Sequence, residues 1–227
     1  MNNLPQVPSV SSRRAFLGRT ALVSLVGGSA LLAASAARAD DHDHGQGNIR
    51  KANADEFRQI RGHENDHVDF LEGALGNAAR PKPTFKNIEQ KRLEDFLKVS
   101  QALENTGVGA YLAAAPIINS AEYLAAAGSI LTIEARHAGF LNVLRDDPIT
   151  GNALDDDSNN SFETPLTIKE VVNNASPFVK SLNGGPALTF STTPSNANDI
   201  AILNFALALE YLEAEFYNVN VKKFFGH

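Results

Sequence analysis

Apolar positions recur at helical spacing along four stretches of the chain, at about residues 53–75, 88–114, 121–145 and 199–224. At 1.5 Å per residue each stretch makes a rod of roughly 35 Å, the length of a bundle helix. Pro116 ends the second rod, and the short step through Asn119 and Ser120 predicts that the second and third are antiparallel neighbours. One stripe on each rod advances by alternating steps of three and four, the spacing of a bundle seam. It reads Phe57, Ile60, Glu64, His67, Leu71, Ala74 on the first and Leu93, Leu97, Ser100, Glu104, Gly107, Tyr111 on the second. On the third it reads Ala127, Ile130, Glu134, His137, Leu141, Leu144, and on the fourth Leu203, Ala206, Glu210, Glu213, Tyr217, Asn220. The expected fold class is all-α, a four-helix bundle with one long connection over residues 146–198. That connection is too long to be structureless, and Thr167 with Glu170 forms a capping box for a short helix through Asn174.

Glutamate interrupts the centre of every stripe. Carboxylates converging in an apolar core lose hydration and repel one another. They must protonate, pair with Lys or Arg, or bind cations. No Lys or Arg stands on any stripe, whereas two divalent cations would cancel four carboxylates. Glu104 and Glu210 are single glutamates, while Glu64 with His67 and Glu134 with His137 are Glu-x-x-His pairs. That is the ligand pattern of dinuclear carboxylate centres built inside bundles. At i and i+3 the two members of a pair share one helix face and can reach one metal.

Two internal repeats reinforce the pattern. Glu64, His67, Phe70 and Leu71 recur as Glu134, His137, Phe140 and Leu141, and Glu104 with Tyr111 recurs as Glu210 with Tyr217. The chain reads as two helix pairs related by a pseudo-twofold. Glu213 lies on the face of Glu210, where the other pairs carry histidine. It is a candidate extra ligand or bridge, and Gly107 would leave it room. Tyr111 and Tyr217 are candidate catalytic residues that would hydrogen-bond a ligating carboxylate or feed an electron. The alternative is a pair of core tyrosines with satisfied hydroxyls. His63 points off the stripe and reads as solvated.

Composition narrows the metal. The sequence has no cysteine, no tryptophan, and Met1 as its single methionine. Disulfides, iron–sulfur clusters and thiolate zinc sites are excluded, leaving carboxylate and imidazole ligands. Such a donor set favours two ions of iron or manganese. Net charge is −6 overall. The first 39 residues hold four arginines and no acid, so the remainder carries 26 acids against 16 bases, net −10. So acidic a body repels a phosphate backbone, and no nucleic-acid partner is expected. The acidic run at residues 155–159 lacks the turn glycine and closing acid of a calcium loop.

Residues 1–39 read as an export signal. Arg13 and Arg14 precede Ala15-Phe16-Leu17-Gly18, an apolar run follows from Ala21 to Ala37, and Ala37-Arg38-Ala39 gives a small-x-small cleavage site. This resembles a twin-arginine signal, with the twin-arginine translocase as export partner. The expected location is periplasmic or extracellular, with no stable membrane span after cleavage. Residues 40–52, which include His42 and His44, read as a solvated start to the mature chain.

With these residues in place the chain resembles ferritin-like proteins, and more narrowly the exported branch that includes desiccation-related proteins. The segment Leu209-Glu210-Tyr211-Leu212-Glu213-Ala214 is similar to that family's first-helix signature, and His67-Val68 with Phe70-Leu71 to its second helix. Glu104 with Gly107, Val108, Ala110 and Tyr111 resembles the third, and Glu134-Ala135-Arg136-His137 the fourth. The signature helix comes last here, so the helix order looks circularly permuted. The resemblance implies a ferritin-like bundle over residues 53–227 and reaction with oxygen or peroxide. It covers iron oxidation, peroxide removal and oxidative-stress protection alike. Two alternatives keep the bundle: a non-enzymatic stress or desiccation protein with a structural metal site, and an oligomeric storage shell.

Overall fold

The computed structural model describes residues 53–150 and 161–226. The export signal, the acidic and histidine-bearing start at 40–52, the whole acidic run at 155–159 and His227 lie outside the described residues. Among the described residues five α-helices carry the fold: α1 (Ala54–Leu75), α2 (Leu93–Ala114), α3 (Ala121–Leu144), α4 (Ile168–Ala175) and α5 (Asn196–Phe225). The expected all-α architecture holds. One minimal antiparallel pair, β1 (Thr84–Phe85) with β2 (Val179–Ser181), ties the two long connections together. Among the described residues no helix is long and apolar enough to cross a membrane.

The four long helices associate as two pairs, α1 with α5 and α2 with α3. Cross-links along the first pair give its direction. Arg58 reaches the Phe225 carbonyl, Asn65 bonds Asn218, and the Tyr211 hydroxyl donates to Glu72. Each step of seven along α1 is a step of seven back along α5, as an antiparallel heptad seam requires. In the second pair Gln101 accepts from Arg145 and, one turn later along α2, Asn105 bonds Asn142, one turn earlier along α3, so these helices are antiparallel as expected. Ser120 caps α3 by accepting from the Tyr123 amide.

Two boundaries differ from the periodicity. The second helix begins at Leu93 rather than near residue 88. Asn220 from α5 accepts the Gln90 amide hydrogen and donates to the Ile88 carbonyl, holding that segment outside the helix. Asn87 adopts a left-handed conformation at φ 58°, which asparagine tolerates. The last helix starts earlier, at Asn196, because Ser195 caps it. α4 carries the expected capping box between Thr167 and Glu170.

α5 is buried on nearly all sides, with a stripe-only pattern nowhere along it. The connection explains this. Phe190 packs edge-on against Phe205 at 5.2 Å, and Phe178 against Phe216 at 6.5 Å. The principal core gathers Phe57, Phe96, Leu141, Leu212, Phe216 and Tyr217 at one end of the bundle, and a second cluster around Leu71, Tyr111 and Leu207 occupies the other. Between the two apolar ends lies a polar layer.

Candidate metal centre

The middle turn of every long helix contributes to that layer. Glu64 and His67 come from α1, Glu104 from α2, Glu134 and His137 from α3, and Glu210 and Glu213 from α5. All seven are buried, and Glu64, Glu104, Glu134 and Glu210 are 0% exposed. The helix seams fix this depth: each glutamate sits at the stripe position its neighbours would fill with an aliphatic side chain. The buried positions expected on α2 are all found buried, while on α1 Leu75 takes the place of the half-buried Ala74.

Six of these residues fall into two overlapping groups that could each hold an ion. Glu64, Glu104, Glu134 and His137 form one; Glu64, His67, Glu134 and Glu210 form the other. Within each group one ligand atom per residue lies within 4.8 Å of all the others. Glu64 and Glu134 belong to both. His137 Nδ1 is 3.0 Å from Glu64 and 3.1 Å from Glu104, and His67 Nδ1 is 3.2 Å from Glu134 and 3.2 Å from Glu210. Ligands bound at right angles to one ion at about 2.1 Å stand about 3.0 Å apart, so these spacings suit neighbouring positions around a cation.

The hydrogen bonding points the same way. Each imidazole Nδ1 carries at most one proton. The hydrogen-bonding contacts run from His137 to Glu104 and from His67 to Glu210. Both oxygens of Glu64, both of Glu134 and Oε2 of Glu213 are buried with no hydrogen-bond partner. Interior carboxylate oxygens normally find a donor. Two shared carboxylates whose four oxygens make no hydrogen bond, set beside two imidazoles, form a donor set compatible with metal binding.

The outer oxygens are held by phenols. Tyr111 donates to Glu210 Oε1 at 2.5 Å and Tyr217 to Glu104 Oε1 at 2.6 Å. Each bond crosses between helices, so the repeat pairs exchange partners: the tyrosine of one serves the glutamate of the other. The second oxygen of each carboxylate is left facing its histidine. Both tyrosines therefore orient candidate ligands through satisfied hydroxyls.

Charge is the dominant cost of the layer. Among the described residues the ion pairs of these glutamates are to His67 and His137 alone. Burial pushes the Glu64, Glu134 and Glu213 carboxyls above the usual range, and repulsion from neighbouring carboxylates adds to it. Burial also pushes Glu210 up, but His67 and Tyr111 outweigh it and hold that carboxyl low. Burial pulls both histidines down, yet the carboxylates beside them keep His67 and His137 well above the ordinary imidazole value.

Glu213 stands beside the two groups rather than inside them. A Cβ built on Gly107 would lie 2.7 Å from Glu134 Oε2 and 3.5 Å from Glu213 Oε1. The room expected for Glu213 is there, and Glu134 uses it more closely.

His63 corrects the sequence reading. It is half-buried, not solvated, and its Nδ1 lies 2.9 Å from His137 Nε2. The heptad pattern misses it because the contact crosses from the flank of α1 to α3. No signal internal to α1 reports that crossing. A small apolar cavity of about 30 Å³ abuts the layer on the other side, walled by Tyr111, Phe70, Ala114, Ile202 and Phe190.

No curated protein and no solved structure matches the chain significantly. The model of the ferritin-like domain family matches residues 27–146 and 198–226, leaving out most of the connection that wraps α5. The match spans well over half of the sequence and includes every one of the seven buried glutamates and histidines; the chain belongs to the ferritin-like domain family.

Proposed function

We propose that this protein holds a dinuclear iron or manganese centre and uses it in oxidative chemistry: iron oxidation, peroxide removal or protection from oxidative stress. The observation that carries the reading is that Glu64 and Glu134, whose four buried oxygens make no hydrogen bond, belong to both ligand groups. Glu64 and Glu134 would bridge, Glu104 with His137 would complete one position, and Glu210 with His67 the other. Glu213 would serve as a further ligand or a proton store beside Glu134. Bound there, the two ions would supply redox equivalents to oxygen or peroxide.

The chain's own groups set the conditions. Tyr111 and Tyr217 fix the rotation of Glu210 and Glu104, so that one oxygen of each faces inward. The raised carboxyls and imidazoles hold protons until cations displace them. The apolar ends of the bundle exclude bulk water, and the cavity beside Tyr111 offers space for a small molecule near the layer. Export through the twin-arginine route, a periplasmic or extracellular site of action, and the desiccation-related branch with permuted helix order belong to the same reading. They are supported by Arg13 and Arg14 and by the signature around Glu210 at the end of the chain.

Metal analysis of the purified protein tests the proposal through the overlap of the two groups. Wild type is expected to carry two ions per chain. Glu64→Ala or Glu134→Ala should abolish both, whereas Glu104→Ala or Glu210→Ala should leave one. A wild-type protein without metal, or shared-ligand variants that retain both ions, would contradict it. Oxygen and peroxide consumption by the loaded protein then separates an enzyme from a structural stress protein.

A further inference from the structure

The two halves of the polar layer mirror each other in Glu64 and Glu134, Glu104 and Glu210, the two histidines and the two tyrosines, but not in Glu213, whose counterpart is Gly107, nor in what stands behind the histidines. His137 directs Nδ1 at Glu64 and Glu104, and its Nε2 meets His63 Nδ1 at 2.9 Å. The two rings are parallel to within 7°, with centroids 5.2 Å apart. That separation equals the nitrogen–nitrogen distance plus one ring radius at each end. The rings are therefore coplanar and edge to edge, with the N–H and the lone pair aimed head-on. If Nδ1 of His137 is to bind a cation it must be bare, so Nε2 carries the proton and donates it to His63.

The repeat places Ile133 where the other half would need its own His63, one residue before Glu134 as His63 is one residue before Glu64. Isoleucine offers no acceptor. Among the described residues none hydrogen-bonds His67 Nε2, and the His67 side chain is 11% exposed against 5% for His137. One histidine is fixed in tautomer and ring angle; the other is not.

We infer that His63 is a positioning residue that makes the two metal positions unequal, so that the His137 position binds its ion more tightly and fills first. The inference rests on the dinuclear reading and adds an order of loading to it. An acceptor behind a ligating imidazole fixes its tautomer and raises its basicity, and losing one typically costs about 10–100-fold in affinity.

Anaerobic calorimetric titration with manganous ion tests this without reference to turnover. Wild type is expected to bind two ions in resolved steps. His63→Ala should weaken the tighter step by about 10–100-fold and leave the weaker one unchanged. His63→Gln, whose amide oxygen can accept the same N–H, should recover part of the loss, which a purely structural effect would not. Ile133→His should strengthen the weaker step. Two ions bound with His63→Ala unchanged, or both steps weakened alike, would overturn the asymmetry while leaving the centre intact. Wild type binding no manganese would overturn the centre and the asymmetry together.

Discussion

Gly107 shows what a single residue contributes to the layer. A methyl group there would press on Glu134 Oε2 at 2.7 Å, and Glu134 is fully buried among other carboxylates with nowhere to retreat. Gly107→Ala should gain about 1 kcal/mol of helix propensity yet lose metal affinity by tenfold or more, as measured by titration beside thermal unfolding. Tyr217 makes the complementary case. Its hydroxyl donates to Glu104 at 2.6 Å inside the core, so Tyr217→Phe removes a hydrogen bond to a buried carboxyl. Urea unfolding of the metal-free variant should show a loss of about 1–3 kcal/mol, the cost of leaving a buried polar group without its partner. An unchanged midpoint would mean that the phenol does not hold the carboxyl. At this scale the glutamates, histidines and tyrosines were legible in the sequence, because residues of that chemistry are costly on a seam. His63 was not, since its partner lies on another helix and only the assembly of the bundle brings them together.

Among the elements, the connection between α3 and α5 does the work that periodicity could not show. Leu166 lies so close to α2 that a Cβ on Gly109 would meet its side chain at 2.4 Å, and its amide donates to the Gly109 carbonyl. α4 follows and packs on α2. Gly109→Ala should therefore lift Leu166 and loosen the connection. Overpacking of this kind costs about 1–3 kcal/mol. Limited proteolysis should then cut within residues 161–195 more rapidly, with helix content retained. The four long helices were readable to within a few residues, since a seam of threes and fours leaves little choice. The start of α2 at Leu93 was misread because Asn220, distant in sequence, competes for the backbone of residues 88–90. The burial of α5 on nearly all sides was missed for a related reason: a helix rich in Leu and Ala looks the same whether one or two layers cover it.

For the whole molecule, the account turns on charge. Five buried glutamates and two histidines make the layer, and five of these groups hold protons more tightly than they would in water. Glu64, Glu134, Glu213, His67 and His137 all have raised values in the folded chain. The folded state then binds more protons than the unfolded one. The stabilisation from the raised carboxyls is complete below their unfolded value of about 4.3 and fades as pH climbs through the folded values. The raised histidines follow the same sign from about 6.5 upward. Glu210, held low, and His63, which burial and the neighbouring histidines push below the ordinary imidazole value, oppose the trend as two groups against five. Metal-free protein should therefore lose urea stability between about pH 5 and about pH 8, and metal should reverse the loss by displacing protons. A metal-free protein whose stability rises across that range would show that the layer is not protonated as described.

The most direct measurement is a crystal structure of the metal-loaded protein with anomalous diffraction collected at the metal edge. The account predicts two peaks in the polar layer, one beside Glu104 and His137 and one beside Glu210 and His67, with Glu64 and Glu134 touching both. No peak in the layer, or one peak that engages neither shared glutamate, would contradict it.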